Sequence, residues 1–263
     1  MPRGSADRMV RARKRFGQNF LVDESVAYGI GEVLAIQPSD LLLEVGPGRG
    51  ALTKVLYPYG ARRYVGVEID RDLIAGLERD FPSLELINQD VLRVRLGELL
   101  ADGPWRVVGN LPYNISTPLL VRLLGHSEQI GDMHFMLQRE VGARLAGVPG
   151  TKQWGRLGVL AQYHCEIERL FDVSPESFSP VPKVHSVVVR LVPRSEKLPL
   201  IDAARLDLVL RHAFSGRRKR LVNALKSLPV RWEELALPEQ ARPDELSVSD
   251  YVALANACDA QQS

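Results

Sequence analysis

The fold of this chain is decided by the stretch LLLEVGPGRG at positions 41–50. A short apolar run ends there at three glycines spaced two residues apart, and a sequence compatible with a helix follows. The pattern predicts a buried parallel strand, a tight turn and the start of a crossover helix. Glycine suits such a turn because the backbone must bend sharply and leave room for a ligand to lie against it.

The spacing of Gly46, Gly48 and Gly50 narrows the class of ligand. Dinucleotide sites usually carry G-x-G-x-x-G, which places a pyrophosphate at a helix N-terminus, whereas this chain has G-x-G-x-G. No Lys-Ser or Lys-Thr pair follows, which excludes a P-loop. The tighter turn favours a nucleoside with a compact zwitterionic tail, such as S-adenosylmethionine. The alternative is a glycine-rich turn between strand and helix that binds no ligand.

Length and composition indicate a globular chain with one large core and room for a small second domain. The 263 residues contain no apolar run long enough to span a bilayer and no signal core at the N-terminus. The two cysteines, Cys165 and Cys258, lie far apart in the sequence. We therefore expect neither a zinc site nor a disulfide framework, and we expect a cytoplasmic location without membrane attachment.

The positive charge is concentrated in two clusters, although the net charge is only +2. Localised positive charge attracts a phosphate backbone through counterion release. One cluster alone would indicate a solvated charged face, but two favour nucleic acid as the partner. The clusters are Arg3, Arg8, Arg11, Arg13, Lys14 and Arg15 in the N-terminal arm, and Arg211, Arg217, Arg218, Lys219 and Arg220.

Strand and helix patterns alternate along most of the chain, which predicts an α/β fold with a parallel sheet. Ligands of such sheets bind beyond the carboxyl ends of the strands, where four strands here end in polar or glycine-rich motifs. After the glycine turn, strands are expected at 63–70, 84–90, 105–108, 133–138 and 186–192. Only helical patterns follow, at 202–214, at 219–228 and after an N-cap at Ser247.

Two acids at strand ends are candidates for binding a nucleoside. Glu68 ends the second strand, where a carboxylate can accept hydrogen bonds from both ribose hydroxyls. Asp90 ends the third strand and can accept from the exocyclic amine of a bound adenine. The alternatives are an exposed strand-end acid for Glu68 and an N-cap or turn residue for Asp90.

The stretch GNLPY, which contains Asn110, Leu111 and Tyr113, is the most specific candidate for chemistry. An exocyclic adenine amine is a poor nucleophile because its lone pair is delocalised into the ring. Two acceptors facing its protons, the Asn110 side-chain oxygen and a backbone carbonyl at Leu111 or Pro112, would aim that lone pair. Tyr113 offers a ring on which the base can stack. The alternative is an ordinary strand-to-turn asparagine beside a core tyrosine.

Phe178 is the second candidate for stacking, because the prolines at 180 and 182 would hold its ring against the other face of the base. The alternative is a hydrophobic plug under a proline turn. The histidines have no metal-ligand spacing, and no Ser–His or Cys–His nucleophile pair is evident. We therefore expect no metal site.

These motifs, in this order, resemble those of the bacterial small-subunit rRNA adenine-N6,N6-dimethyltransferase family. The resemblance runs from about Arg13 to the final helix. It departs at Arg49, where the family usually has leucine, and at Gly216, where relatives tend to carry glutamine. The matching stretches are KRFGQNFL (14–21), EVGPG (44–48), VEID (67–70), QD (89–90), GNLPYNIS (109–116), MLQREV (136–141) and FSPVPKV (178–184).

The resemblance implies a Rossmann-like S-adenosylmethionine-dependent methyltransferase sheet with a small all-helical C-terminal domain, divided as 1–196 and 197–263. It implies a monomer that dimethylates two adjacent adenines in the 3′-terminal hairpin loop of 16S rRNA within the assembling small subunit. Catalysis would fall to Asn110, Leu111, Tyr113 and Phe178, and cofactor binding to Asn19, Leu21, Gly46, Gly48, Glu68, Asp90 and Asn110. RNA contacts would come from Arg11, Arg13, Lys14, Arg15, Arg217, Arg218, Lys219 and Arg220.

Three other functions are compatible with parts of the sequence. A 23S rRNA adenine methyltransferase of the macrolide-resistance type shares the Asn-x-Pro-Tyr core, but it matches the 178–184 stretch and the helical tail less well. A ribosome-assembly factor that acts mainly by binding would also use the two basic clusters. A nicotinamide dehydrogenase is disfavoured because the glycine spacing is wrong and no acid–base residue for hydride transfer is evident.

Overall fold

A seven-stranded sheet lies at the centre of the computed structural model, which describes residues 18–217, 219–238 and 240–259. A separate two-stranded sheet is formed by the first and the eighth strand. The strands of the described residues are, in chain order, β1 (Phe20–Leu21), β2 (Leu41–Val45), β3 (Arg63–Glu68), β4 (Glu85–Asn88), β5 (Trp105–Asn110), β6 (Ile130–Gln138), β7 (Cys165–Val173), β8 (Phe178–Ser179) and β9 (Ser186–Pro193).

Helices cover the sheet and make up the regular structure of the C-terminal segment. The α-helices of the described residues are α1 (Glu24–Leu34), α2 (Ala51–Leu56), α3 (Arg71–Asp80), α4 (Leu96–Leu99), α5 (Ser116–Leu124), α6 (Arg139–Leu145), α7 (Arg156–His164), α8 (Ala203–Ser215), α9 (Leu221–Ala224) and α10 (Val248–Asn256). None of them is both long and apolar enough to cross a membrane.

The strand order of the large sheet is β4-β3-β2-β5-β6-β9-β7. The first five of these strands are parallel, and β9 runs antiparallel to both β6 and β7. The chain builds outward from β2 to β4 and then restarts at β5 on the other side of β2, so the order reverses between β2 and β5. This arrangement confirms the predicted fold class, and a reversal of this kind marks where ligands bind in such sheets.

Strand β2 is apolar along most of its length because both faces of the sheet are covered there. All five of its residues are buried, and it pairs with β3 on one side and β5 on the other. The strand at Cys165–Val173 was not predicted from the sequence. It lies at the edge of the sheet, where charged residues such as Glu166 and Glu168 face solvent and obscure the strand pattern.

The C-terminal helices share the hydrophobic core of the sheet. Leu206 and Leu210 of α8 belong to the same buried cluster as Leu160 of α7. Helix α10 begins with a reciprocal capping box between Ser247 and Asp250, which confirms the predicted N-cap. The predicted helix at 219–228 is shorter and covers only Leu221–Ala224. The division of the chain into domains at 197 stays a prediction.

A polar cluster lies at the end of the sheet opposite to the glycine turn. Arg106 donates to Asp132 (Nη2 to Oδ2, 2.7 Å) and to Asp40 (Nη1 to Oδ2, 3.0 Å). His134 lies beside them with 1% of its surface exposed, and neither of its ring nitrogens has a hydrogen-bond partner in the described residues. Burial lowers the pKa of His134 to about 4, although the neighbouring Asp132 carboxylate opposes this shift.

We predict that the contribution of His134 to the free energy of unfolding decreases as the pH falls from about 6.5 towards 4. Unfolded His134 takes up a proton near its ordinary pKa of 6.5, whereas the folded chain resists protonation until about pH 4. The slope should approach about 1.4 kcal/mol per pH unit for each full proton taken up. Urea unfolding between pH 7 and pH 5 measures it.

The variant His134→Leu should reduce this slope, because its unfolded state has one proton fewer to bind. His185, which is exposed in the folded chain, provides the matched control, and His185→Leu should leave the slope as it is. Equal slopes for His134→Leu and the unsubstituted chain would show that His134 does not carry the effect.

Candidate active site

A cavity of about 330 Å³ opens where the order of the strands reverses. Its wall combines the carboxyl ends of β2, β3 and β5 with the residues that follow β4. The prediction that four strand ends gather around a single cavity is therefore confirmed. The predicted site residues on its wall are Asn19, Gly46, Gly48, Glu68, Asp90, Asn110, Leu111 and Tyr113.

The predicted tight turn after β2 is present, and its three glycines have a left-handed backbone. Gly46, Gly48 and Gly50 have φ angles of +68°, +62° and +78°, a region that L residues with a side chain rarely adopt. A Cβ atom at Gly46 would meet no other atom within 4 Å, whereas one at Gly50 would lie 2.8 Å from the Phe81 ring. The backbone at Gly46 therefore faces open space in the cavity wall, where a ligand can lie against it.

Glu68, at the end of the neighbouring strand β3, stabilises this turn by hydrogen bonds. Its Oε2 accepts from the Gly48 N–H at 2.9 Å, and its Oε1 accepts from the Asp70 N–H at 2.8 Å. Burial raises the pKa of Glu68, and these two backbone hydrogen bonds oppose the shift. A carboxylate oxygen can accept more than one hydrogen bond, so Glu68 retains acceptor capacity towards the cavity.

Glu44 is a further buried carboxyl group, next to the glycine turn, that was not among the predicted site residues. Its Oε2 accepts from the Tyr64 hydroxyl at 2.5 Å and from the Thr53 hydroxyl at 2.8 Å. Burial raises the pKa of Glu44 to about 7, while these two hydrogen bonds lower it and the Glu68 charge raises it further. An acid within the apolar run of β2 was the signal that could have identified it.

Asp90 lies on the cavity wall and also closes a turn. Its Oδ1 accepts from the Leu92 N–H at 2.9 Å, and the side chain is half-buried. Asp90 can therefore be a turn residue and an acceptor for adenine at the same time. One oxygen accepts from the turn, and the carboxylate still borders the cavity.

The last residue of β5 and the residue that follows it present two free acceptors. The Asn110 Nδ2 donates to the Asn19 carbonyl at 2.9 Å, which fixes the orientation of its amide. The Pro112 carbonyl accepts from the N–H groups of Ile115 and Ser116, both at 3.1 Å. Within the described residues, neither Oδ1 of Asn110 nor the Leu111 carbonyl accepts a hydrogen bond. Of the two backbone carbonyls predicted as the second acceptor for the amine, the free one is therefore that of Leu111.

Phe178 and Leu21 are the two predicted site residues that the structure does not bring to the cavity wall. Phe178 has 2% of its surface exposed and packs in the cluster that contains Val173 and Val188. Leu21 pairs with it between β1 and β8 and is 6% exposed. This conformation agrees with the alternative interpretation of Phe178 as a hydrophobic core residue under the proline turn, because its ring is buried in the core. The cofactor role of Leu21 stays a prediction.

Arg49, the departure noted in the glycine turn, lies over an aromatic ring of the cavity wall. Its guanidinium carbon is 4.3 Å from the centroid of Phe20, a cation–π distance. The side chain is exposed and does not line the main cavity. The local backbone of the turn is therefore compatible with arginine at this position.

The predicted RNA-binding residues are only partly described. Lys219 and Arg220 are exposed, but the Arg217 guanidinium donates to the carbonyls of Thr151 and Lys152, both at 2.8 Å, and to Asp244 at 3.3 Å. Arg217 therefore fastens the loop after α6 to the C-terminal segment. The others, Arg11, Arg13, Lys14, Arg15 and Arg218, lie outside the described residues.

Comparison with solved structures identifies the class of protein. A dimethyladenosine transferase from Plasmodium falciparum superposes with a TM-score of 0.75 at 24% identity, covering 89% of this chain and 95% of that one. The 23S rRNA methyltransferase ErmE superposes with a TM-score of 0.65 at 26% identity, covering 90% and 98%. The fold and the cavity define a Rossmann-like methyltransferase that uses S-adenosylmethionine.

The family follows from the sequence as a whole. The family model for ribosomal RNA adenine dimethylase matches residues 9–259, and the chain belongs to this family. Two similar relatives are both named ribosomal RNA small subunit methyltransferase A. The one from Marinobacter nauticus is 46% identical over 94% of this chain and 91% of its own length, and the one from Pseudomonas aeruginosa is 48% identical over 94% of each.

The cavity fits S-adenosylmethionine. Its volume lies within the usual range for small-ligand sites. The backbone at Gly46 can approach a ligand closely, and Glu68 and Asp90 are acceptors for the hydroxyl and amino groups of a nucleoside. No group of three or more His, Cys, Asp or Glu residues that could hold a metal ion occurs in the part of the chain that the structure describes.

We predict that Glu68→Ala weakens the binding of S-adenosylmethionine by about tenfold or more. The variant removes the carboxylate that we expect to accept from the ribose, and it leaves the N–H groups of Gly48 and Asp70 without this partner, each at a cost of about 1–3 kcal/mol. Glu68→Gln retains one acceptor oxygen and should bind more tightly than the alanine variant. Isothermal titration measures both dissociation constants, and an unchanged affinity of Glu68→Ala would exclude this role.

Proposed function

We propose that this chain transfers methyl groups from S-adenosylmethionine to N6 of two adjacent adenines in the 3′-terminal hairpin loop of 16S rRNA. It acts as a cytoplasmic monomer on the assembling small subunit. Membership of the ribosomal RNA adenine dimethylase family supports the reaction, and the names of its relatives support the small-subunit substrate. The observation that carries the proposal is the pair of free acceptors at Asn110 and Leu111 on the cavity wall.

These acceptors address the weakness of adenine N6 as a nucleophile. Oδ1 of Asn110 and the Leu111 carbonyl accept the two N–H groups of the amine, which draws its nitrogen towards a tetrahedral geometry and aims the lone pair. The Nδ2 of Asn110 donates to the Asn19 carbonyl, so the Oδ1 atom of Asn110, and not its N–H group, is available to the amine. When bound, S-adenosylmethionine supplies an electrophilic methyl group.

Positioning supplies most of the acceleration in this scheme. Tyr113 holds the plane of the base by stacking, worth about 1–3 kcal/mol per base. No side chain has to act as a strong base, because the proton leaves to water once the nitrogen is alkylated. Phe178 would stack on the other face of the base only if its ring moved out of the core that now buries it.

Lys219 and Arg220 are the described residues that we assign to the rRNA phosphates, together with Arg218 and with Arg11, Arg13, Lys14 and Arg15 of the arm. Both described side chains are exposed. Arg217 is less suited, because its guanidinium already donates to two carbonyls and a carboxylate of the chain.

The second candidate is a 23S rRNA substrate, since ErmE shares the fold at 26% identity. The relatives named for the small subunit are 46% and 48% identical over 94% of this chain, which favours the small subunit. Undermodified small subunits incubated with the protein and labelled S-adenosylmethionine, followed by mapping of the modified nucleotide, distinguish the two. Label in 23S rRNA instead would overturn the proposal.

We expect Asn110→Ala to abolish methyl transfer, with kcat reduced by about a hundredfold or more, while S-adenosylmethionine still binds. The variant removes one of the two acceptors for the amine but leaves the glycine turn and Glu68 in place. Asn256→Ala is the control, since the Asn256 side chain also makes hydrogen bonds within the chain, to Ile201 and Pro199, but lies in α10. Single-turnover kinetics measures the effect, and near-normal turnover would show that the assignment is wrong.

The double variant Lys219→Ala/Arg220→Ala should weaken rRNA binding and lower the slope of log affinity against log salt by about 1 for each phosphate that is no longer neutralised. Arg217→Ala should instead lower the thermal midpoint by a few degrees, about 2–4 °C per kcal/mol. Filter binding at several salt concentrations and thermal unfolding measure the two effects. The opposite pattern would assign Arg217 to the RNA.

A further inference from the structure

The hydroxyl groups of Tyr113 and Ser186 lie 3.1 Å apart, which is hydrogen-bond distance. Tyr113 belongs to the irregular segment between β5 and α5 and lines the cavity. Ser186 is the first residue of β9, has 1% of its surface exposed and does not line the cavity. The contact therefore joins a side chain of the cavity wall to a buried strand.

Ser186 is a rigid anchor because the backbone holds it from both sides. It pairs with Gln138 of β6 and with Val173 of β7. The Arg139 N–H donates to the carbonyl of the preceding residue, His185, at 3.0 Å. The junction of β6 with α6 on one side and β7 on the other thus fix the backbone that carries the Ser186 hydroxyl.

The segment that carries Tyr113 is held less completely. Its side chain emerges from a stretch without strand or helix, where the Tyr113 carbonyl accepts from the Ser116 hydroxyl at 3.2 Å. A tyrosine ring can rotate about two side-chain bonds, and ordering it only when the base arrives would cost conformational entropy. A hydrogen bond at the far end of the ring limits both rotations before the base arrives.

We infer that Ser186 is a positioning residue for methyl transfer, which acts by holding the Tyr113 hydroxyl. The inference rests on the proposed function. With the hydroxyl held, the Tyr113 ring keeps one orientation beside Leu111, and a base stacked on it presents its amine to the Leu111 carbonyl and to Oδ1 of Asn110. Without the hydrogen bond, the base stacks in several orientations, and fewer of them align the amine.

A double-mutant cycle of Ser186→Ala and Tyr113→Phe tests the inference, with kcat and KM measured on undermodified small subunits. Each single variant should lower kcat by about five- to tenfold, the equivalent of one hydrogen bond, and should leave the affinity for S-adenosylmethionine unchanged. The double variant should be no slower than either single variant, because both changes remove the same interaction.

A merely structural role for Ser186 would give a different result. Its effect would then persist in the Tyr113→Phe background, and the two losses would multiply, which would overturn the inference. If Ser186→Ala does not fold, Tyr113→Phe decides alone, since it leaves the strand untouched. A kcat equal to that of the unsubstituted chain would then overturn the inference.

The matched control is Ser127→Ala. Ser127 is also buried, and its hydroxyl lies 3.1 Å from the His164 Nδ1, but it lies at the end of the sheet remote from the cavity. It should leave kcat unchanged. Failure of the unsubstituted chain to label adenine would overturn the proposed function and the inference with it, whereas multiplicative losses in an active enzyme would overturn the inference alone.

Discussion

The site depends on the register of the three parallel strands β3, β2 and β5. Val45 at the end of β2 pairs with Val67, and Glu44 pairs with Val108, so the residues that follow these pairs emerge at one edge of the sheet. A shift of one residue would send Glu68 or Asn110 to the opposite face, because side chains alternate along a strand. The buried hydrogen bonds from Tyr64 and Thr53 to Glu44 of β2 oppose such a shift, since it would carry the Glu44 carboxyl group away from both partners.

Hydrogen bonds between segments distant in sequence then set the chemistry at that edge. Glu68 holds Gly48 of the turn, and the Asn19 carbonyl holds the amide of Asn110. Both bonds connect a strand end with an irregular segment, and both leave acceptors directed at the cavity. The hydrogen bond between Tyr113 and Ser186 likewise connects an irregular segment of the cavity wall with a strand end. The cavity is thus built from irregular segments that the sheet restrains, which suits a reaction that relies on alignment.

Much of the fold and of the site could be predicted because it depends on patterns between residues that are close in the sequence. The glycine spacing, the strand-end acids Glu68 and Asp90, and the N-cap at Ser247 all act over a few residues, and the structure contains each of them. The edge strand at Cys165–Val173 was missed because one side of it is solvated and its pattern is charged. The burial of Phe178 and the intramolecular bonds of Arg217 depend on partners far along the chain.

The amino-acid sequence was sufficient for the order of most elements, the parallel part of the sheet and the family, because periodicity and turn chemistry are local and the motifs are ordered. Which groups are free to act emerged only from tertiary contacts. The Asn110 amide is oriented by the Asn19 carbonyl, the Phe178 ring is in the core, and the Glu44 carboxyl group is buried against Tyr64. The physical reason is that a hydrogen bond or a buried surface requires a partner, and these partners come from elements brought together by folding.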